Sequence, residues 1–236
     1  MATVRYRRAA DLILETYSAR APARSSQVDP SQLDEGIGRF LRMARQIAET
    51  GPRAAHMDEN DVTQLGDYGL SLLTDMVNCS GQLDLRAPKH ELGMVMISVS
   101  DWIIEHGGEL RTLQALVDAL AAFANSTLET TELADLARFM GRVITATARP
   151  VAEDMEKANP ARPWRILHLN RGIVATRTHD LALMTEAFDD IIDHLPEEAP
   201  NFFTIGMEQM VTLDYPEHVR ELMRSYFDSF TRPRMH

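Results

Sequence analysis

Cysteine is almost absent from this sequence. Cys79 is the only one, so no disulfide can form within the chain. Long apolar stretches are also missing, since no run reaches the roughly 20 residues that span a bilayer. The first residues, MATVRYRRAADLILETYSAR, are basic but lack the apolar core and cleavage site of a secretory signal. Together these absences predict a cytoplasmic protein that does not associate with membranes.

Lysine is scarce too, with Lys89 and Lys157 as its only two occurrences. The formal net charge is −11 at pH 7, and residues 178–219 hold ten acidic residues and no lysine or arginine. Binding to nucleic acid or to anionic lipid depends on a basic surface that neutralises phosphate. The charge balance therefore predicts no nucleic-acid partner and no membrane partner.

The alternating pattern of a β-strand is missing from every segment, whereas apolar residues recur at helical spacing nearly throughout. One such stripe consists of Leu33, Ile37, Leu41, Ala44 and Ile47. Proline stands near the start of several stripes and glycine near the end, as expected at helix boundaries. The pattern predicts an all-α fold of antiparallel helical hairpins, forming either an α-solenoid-like array or a compact helical bundle.

The chain shows two regions of different character. Residues 1–28 form a weaker amphipathic helix followed by the linker-like stretch APARSSQVDP, so we expect them to be loosely attached. Residues 29–236 are expected to form a single helical domain. Its second half, after the break at Asn159-Pro160 and Pro163, is predicted to contain helices at 163–177, 180–195, 198–213 and 216–230.

A weak internal repeat relates the hairpin at 163–195 to the one at 201–230, at a spacing of 38 residues. The aligned apolar pairs are Trp164 with Phe202, Leu167 with Ile205, Leu169 with Met207, Ile173 with Val211, Leu181 with Val219, Met184 with Leu222 and Phe188 with Tyr226. A helical-hairpin repeat of this length is typical of α-solenoids. The segment from Phe202 to Gly206 resembles the opening of a tetratricopeptide repeat, although His218 and Ser225 stand where that repeat has alanine.

An aspartate-rich motif, Phe188-Asp-Asp-Ile-Ile-Asp193, resembles the DDxxD box of isoprenoid synthases. The resemblance implies that Asp189, Asp190 and Asp193 would hold Mg²⁺ against a substrate diphosphate, since carboxylate oxygens suit this hard cation. No second motif of this kind is present. The apolar spacing of the helix also predicts that the aspartates face solvent, as a charged helix surface.

The stretch Asp214-Tyr215-Pro216-Glu217-His218 is similar to the Pro-x-His signature of redox-enzyme maturation chaperones of the TorD type. Those proteins are also acidic and all-helical. The alternative interpretation is a helix start, because Pro216 suits the first helical turn and Glu217 complements the helix dipole there.

Residues suited to a metal or to covalent catalysis are not gathered in any recognisable motif. No two histidines have the H-x-x-x-H spacing of a zinc site, and no phosphate-binding glycine loop or nucleophile elbow occurs. Cys79 falls near a predicted helix carboxyl end, where the dipole disfavours a thiolate. The sequence therefore predicts no cofactor and no catalytic residue.

One helix carries more large apolar residues than a single narrow stripe can bury. Phe202, Phe203, Met207 and Met210 cover much of its circumference, so we expect part of this set to contact a partner. This favours a non-enzymatic interaction protein, an adaptor or chaperone-like binder of a protein or peptide. Two alternatives stay open: a Mg²⁺-dependent enzyme of isoprenoid-synthase type that uses the aspartate motif, and a structural subunit that self-associates as a homodimer.

Overall fold

Helices make up nearly all of the structure, a computed structural model that describes residues 2–20, 29–155, 157 and 159–231, with backbone only at 53, 54 and 231. In chain order the helices are α1 (Ala2–Arg20), α2 (Pro30–Thr50), α3 (Glu59–Gln82), α4 (Arg86–Glu105), α5 (Gln114–Ser126), α6 (Thr130–Thr145), α7 (Arg149–Ala152), α8 (Pro163–Thr178), α9 (Leu181–His194), α10 (Ala199–Thr212) and α11 (Glu217–Thr231). These described ranges contain no strand, only an isolated bridge between Leu110 and Thr147. The predicted all-α fold is confirmed. No described helix combines the length and the apolar character needed to cross a membrane.

The chain divides into two compact units rather than the single domain expected over 29–236. Unit 1 comprises Met1–Phe123 and Thr145–Met155, and unit 2 comprises Ala124–Ile144 and Glu156–His236. The sequence could not show this division, because each unit is assembled from two separate stretches of chain. All four helices predicted for the second half lie in unit 2, within one residue of their predicted ends.

In unit 1 the first helix is packed into the core, which differs from the loose attachment expected for residues 1–28. Tyr6, Ala9, Ala10 and Ile13 of α1 are buried, and α1 packs along α4. The Tyr6 hydroxyl donates to Asp34 of α2 at 2.8 Å. The helix looks polar in composition, but four small or apolar residues at helical spacing are enough to form one buried face. Residues 21–28 of the predicted linker lie outside the described residues.

Local signals account for the helix ends of unit 1. Asp58 caps α3 by accepting from the backbone N–H of Asp61 at 2.9 Å, and the Asp61 side chain accepts from the Asp58 N–H at 3.1 Å. This reciprocal pair satisfies two N–H groups that an isolated helix leaves unbonded. The apolar spacing of α5 continues back to Leu110, but Leu110 lies in an extended segment bridged to Thr147, and α5 begins only at Gln114.

In unit 2, α8 and α9 form a tight hairpin with a two-residue turn. His179 adopts a left-handed conformation with φ of 60°, which reverses the chain at the end of α8. Asp180 then caps α9 by accepting from the N–H groups of Ala182 and Leu183. An Asp at this position stabilises a helix start by about 1 kcal/mol.

The α10–α11 hairpin closes over α9 through a cluster of aromatic rings. Phe203 of α10 stacks on Tyr226 and Phe230 of α11, with ring centroids 5.3 and 5.5 Å apart. Phe188 of α9 meets Phe203 edge to face at 5.3 Å. Aromatic pairs in these geometries stabilise a core by about 1 kcal/mol beyond their buried area.

The two hairpins do not bury the residues of the proposed sequence repeat in the same way. Leu181 is exposed while its counterpart Val219 is fully buried, although the aligned Ile173 and Val211 agree in being exposed. A tetratricopeptide-like repeat therefore stays a prediction from the sequence, although the two successive hairpins are present.

A buried arginine links three helices of unit 2. Arg171 of α8 has only 2% of its side chain exposed and pairs with Glu186 and Asp190 of α9. Its Nε donates to the carbonyl of Ala137 on α6 at 3.2 Å. Gly141 makes room for it, because a Cβ there would lie 2.7 Å from the guanidinium. Burial raises the pKa of Asp190, although the charge of Arg171 opposes that shift.

We expect Arg171→Met to destabilise the protein by about 3 kcal/mol, the lower end of the range for breaking a buried ion pair, because Glu186 and Asp190 retain some access to water. A matched control is Arg138→Met, which removes an exposed pair with Asp135 on α6 and should cost less than about 1 kcal/mol. Urea unfolding of the full chain measures both. Adding Asp190→Asn to Arg171→Met should recover part of the loss, and equal losses for the two single variants would contradict this account.

Candidate functional site

An elongated cavity in unit 2, which we call the α8–α10 groove, has a volume of about 490 Å³. One wall is formed by Leu169, Ile173 and Thr176 of α8. The other is formed by Phe202 and Ile205 of α10 and by Leu213, which directly follows α10. Met210 and Met223, both buried, lie at its base. This volume falls within the roughly 300–1,000 Å³ of typical ligand sites.

The groove exposes large apolar side chains that the fold leaves uncovered. Ile173 is 51% exposed, Ile205 48% and Leu213 47%. These three line one cavity, whereas single exposed apolar residues scattered over a surface are ordinary. A concentration of apolar surface around a concave site is typical of ligand and protein binding.

The two ends of the groove differ in their polar groups. At one end Arg165 of α8 and Glu198 before α10 form a two-point ion pair, with one bond of 2.7 Å. This pairing lowers the pKa of Glu198 and raises that of Arg165. Because Arg165 and Glu198 lie near the starts of both helices, α8 and α10 run in the same direction along the groove.

The opposite end is formed by Arg177 and Tyr215. Arg177 donates to the carbonyls of Ala124 and Thr127 at 2.8 and 2.7 Å, which satisfies acceptors at the carboxyl end of α5. Tyr215 is half-buried, and burial raises its pKa while the Arg177 charge opposes that rise. No described carboxylate pairs with Arg177.

The structure separates the four residues predicted to bind a partner. Phe202 and Met210 line the groove, with Phe202 half-buried and Met210 buried. Phe203 is fully buried in the aromatic cluster, and Met207 is half-buried without lining the groove. The Phe202 ring lies directly on α8, because a Cβ at Gly172 would come within 2.7 Å of it.

Sequence reasoning missed the α8 wall and Tyr215. Leu169 and Ile173 were recognised only as repeat positions, and Tyr215 only as part of a helix boundary. One signal was available: Leu169, Ile173 and Thr176 follow helical spacing on a face different from that of Leu167, Val174 and Ala175, which are buried. Two apolar faces on one helix indicate that it packs, or binds, on both sides.

The three aspartates of the motif, which the isoprenoid-synthase resemblance implies as ligands of Mg²⁺, differ in their surroundings. Asp189 accepts a hydrogen bond from the Tyr226 hydroxyl at 2.7 Å, and Asp190 pairs with Arg171. Asp193 is exposed, and none of the three lines the groove. Asp190 is half-buried and therefore differs from the solvent-facing orientation expected for it. Within the described residues no three potential ligands are placed to hold a metal ion.

A second polar feature of unit 2 is the buried histidine His168 of α8. It is 1% exposed, and neither ring nitrogen has a hydrogen-bond partner among the described residues. Its ring lies edge to face on Trp164 at 4.5 Å and beside His194 at 5.1 Å. Burial, followed by the charges of His194 and Arg171, lowers its pKa to about 3. His168 is therefore neutral near pH 7 and belongs to the core.

The structure also shows the contacts of Cys79 and of the Asp214–His218 stretch, both of which the sequence analysis considered as possible sites. Cys79 is half-buried, and burial together with Asp75 raises the pKa of its thiol. Pro216 immediately precedes α11, and the exposed His218 places Nε2 3.3 Å from the carbonyl of His179. These contacts fit the helix-start interpretation of the Asp214–His218 stretch.

Comparison with known proteins adds no relative. No protein-family model matches the sequence, and no curated protein and no solved structure is significantly similar to it.

The contrast between two neighbouring phenylalanines gives a direct test of the groove. Phe203→Ala should destabilise the protein by about 3–5 kcal/mol, because it empties a fully enclosed core position. Phe202→Ala should cost clearly less, because that ring already faces an open groove. Urea unfolding of each variant measures the difference, and equal losses would show that Phe202 belongs to the core as Phe203 does.

His168 should make stability fall in acid. Its pKa of about 3 in the folded protein lies below the ordinary value of 6.5, so the unfolded chain binds this proton first as pH falls. The part of the free energy of unfolding that depends on a neutral His168 is fully present above pH 6.5. It falls by up to about 1.4 kcal/mol for each pH unit as the pH decreases toward 3. His168→Gln should flatten the dependence between pH 6.5 and 4.5 in thermal unfolding. His90→Gln, at an exposed position of α4, is the control and should leave the wild-type dependence unchanged.

Proposed function

We propose that this protein is a non-enzymatic interaction protein whose α8–α10 groove binds an amphipathic helical segment of another protein. The observation that carries the proposal is the convergence of three half-exposed apolar residues, Ile173, Ile205 and Leu213, on a single cavity. Helix-in-groove recognition places apolar anchors at i, i+3, i+4 and i+7 into such a site.

The dimensions of the groove support a helical occupant. The α10 wall extends from Phe202 to Leu213, a length of about 16 Å at the helical rise per residue. A guest helix of roughly three turns matches that length. The α8 wall presents Leu169 and Ile173 four residues apart, which is the spacing of side chains along one face of a helix.

The charge of the surrounding surface supports a basic polar face on that helix. The segment 178–219, which contains α10, has ten acidic residues and no lysine or arginine. Glu208 on α10 and Asp214 just beyond it are exposed and make no described ion pair. Complementary charge would orient the partner and speed its association rather than supply most of the affinity.

The titratable groups of unit 2 support a structural rather than a catalytic role for the polar residues. Glu198 and Asp190 pair with arginines, Asp189 bonds Tyr226, and His168 is sealed in the core. A general acid or base must reach the proton that it transfers. The isoprenoid-type alternative would need Asp189 and Asp190 to give up these partners.

Fluorescence anisotropy with a designed peptide tests the proposal. The probe is a labelled, amidated helix of about 14 residues with leucine on one face and lysine and glutamine on the other. We expect saturable binding at roughly micromolar concentration. Ile205→Glu should weaken it more than about tenfold, because a carboxylate would enter the apolar wall.

Val211→Glu is the matched control, since Val211 lies on the same helix, is 86% exposed and does not line the groove. It should change binding by less than about twofold. Both variants should melt close to the wild type. Sedimentation of the same proteins tests the homodimer alternative. A dimer that dissociates in Ile205→Glu, together with no binding of the probe, would replace the present proposal with self-association.

A further inference from the structure

The Arg177–Tyr215 end of the α8–α10 groove has polar groups whose hydrogen-bonding capacity the fold does not use up. Arg177 engages two carbonyls through its terminal nitrogens, and no described carboxylate balances its charge. The Tyr215 hydroxyl makes no hydrogen bond to any described residue. Tyr226, a tyrosine of the same unit, by contrast donates to Asp189 at 2.7 Å.

The opposite end of the groove is already satisfied. Arg165 and Glu198 neutralise each other through two hydrogen bonds, so a charged ligand group gains little there. The walls between the two ends are apolar, apart from Thr176 and the amides of Asn201 and Gln209. The groove is therefore polarised along its length: its polar pair is closed at one end, whereas at the other end Arg177 keeps N–H donors beyond those that bind the α5 carbonyls.

We infer that the groove binds the carboxyl-terminal end of its partner helix, with the terminal carboxylate at Arg177 and Tyr215. This inference rests on the proposed function. It adds the orientation of the bound helix in the groove and the terminus by which that helix is recognised. Arg177 would supply the charge and Tyr215 a neutral donor.

A guest in this orientation lies parallel to α8 and α10, so its negative carboxyl end lies beside theirs, and the Arg177 guanidinium has to outweigh that repulsion. The carboxyl end of a helix carries partial negative charge from its unbonded carbonyls, in addition to the charge of a terminal carboxylate. Both would face Arg177 if the guest ran parallel to α8 and α10. In the reverse orientation the positive amino end of the guest would face Arg177, and the terminal carboxylate would meet the closed Arg165–Glu198 pair.

The test uses three versions of the peptide probe that differ only in their ends. One has a free carboxyl terminus, one a carboxamide, and one a carboxamide with glutamate at its amino terminus. We expect the free carboxylate to bind wild-type protein about tenfold more tightly than the carboxamide, as for a hydrogen bond to a charged group. The probe with amino-terminal glutamate should bind no more tightly than the carboxamide.

Two variants assign the effect to this end of the groove. Tyr215→Phe keeps the ring and should reduce the tenfold preference to about threefold, while Arg177→Gln should abolish it. The measured quantity in each variant is the ratio of the two affinities, so a general loss of groove binding that weakens both probes equally does not count as a loss of the preference. Arg224→Gln, at an exposed position of α11, is the control and should leave the preference intact. Arg177 also caps α5, so Arg177→Gln could fail to fold. In that case Tyr215→Phe by itself still tests the assignment.

The possible failures are distinguishable. If the acid and carboxamide probes bind wild type equally and Ile205→Glu still weakens both, the groove binds helices but not their carboxyl ends, and the inference is wrong. If the preference survives in Tyr215→Phe and Arg177→Gln, the carboxylate binds elsewhere and the assignment is wrong. If no probe binds, the proposed function itself fails.

Discussion

The buried guanidinium of Arg171 is the constraint on which unit 2 depends. It lies inside the packing of α6, α8 and α9, where an unpaired charge would be very costly. Its three interactions therefore have to form together: the carbonyl of Ala137 and the carboxylates of Glu186 and Asp190. Each partner lies on a different turn or helix, so satisfying the charge sets the register of α8 against both neighbours. Gly141 is part of the same arrangement, because any larger residue would occupy the space of the guanidinium.

With one face of α8 held in this way, its opposite face is left to form the groove. Leu167, His168 and Arg171 face the core, whereas Leu169, Ile173 and Thr176 face α10 across the cavity. The Arg165–Glu198 pair and the Phe202 ring over Gly172 join the two walls. The groove is thus bounded by packed contacts, and a site formed before binding would reduce the entropy that its own side chains lose in the proposed complex.

The polar groups of unit 2 fall into two classes that suggest different roles. Those in the core, such as Arg171 and His168, specify packing, and the lowered pKa of His168 also makes stability depend on pH. Those at the groove, Arg177 and Tyr215, retain donors that the fold does not consume. Arg177 also binds the last carbonyls of α5, so its position serves folding as well as the carboxylate recognition that we propose for this end of the cavity.

The sequence by itself determined the all-α class and the positions of most helices, although not the start of α5. These depend on interactions a few residues apart: caps such as Asp58 and Asp180, the proline at 163 and the spacing of apolar residues along one face. It also showed that the helix around Phe202 carries excess apolar surface. Only the tertiary structure decided which phenylalanine is buried, because the two point about 100° apart and the one that faces the core depends on which helices pack against α10. The partners of Arg171 and the tight packing of α1 were likewise beyond the sequence, because they join residues distant in the chain.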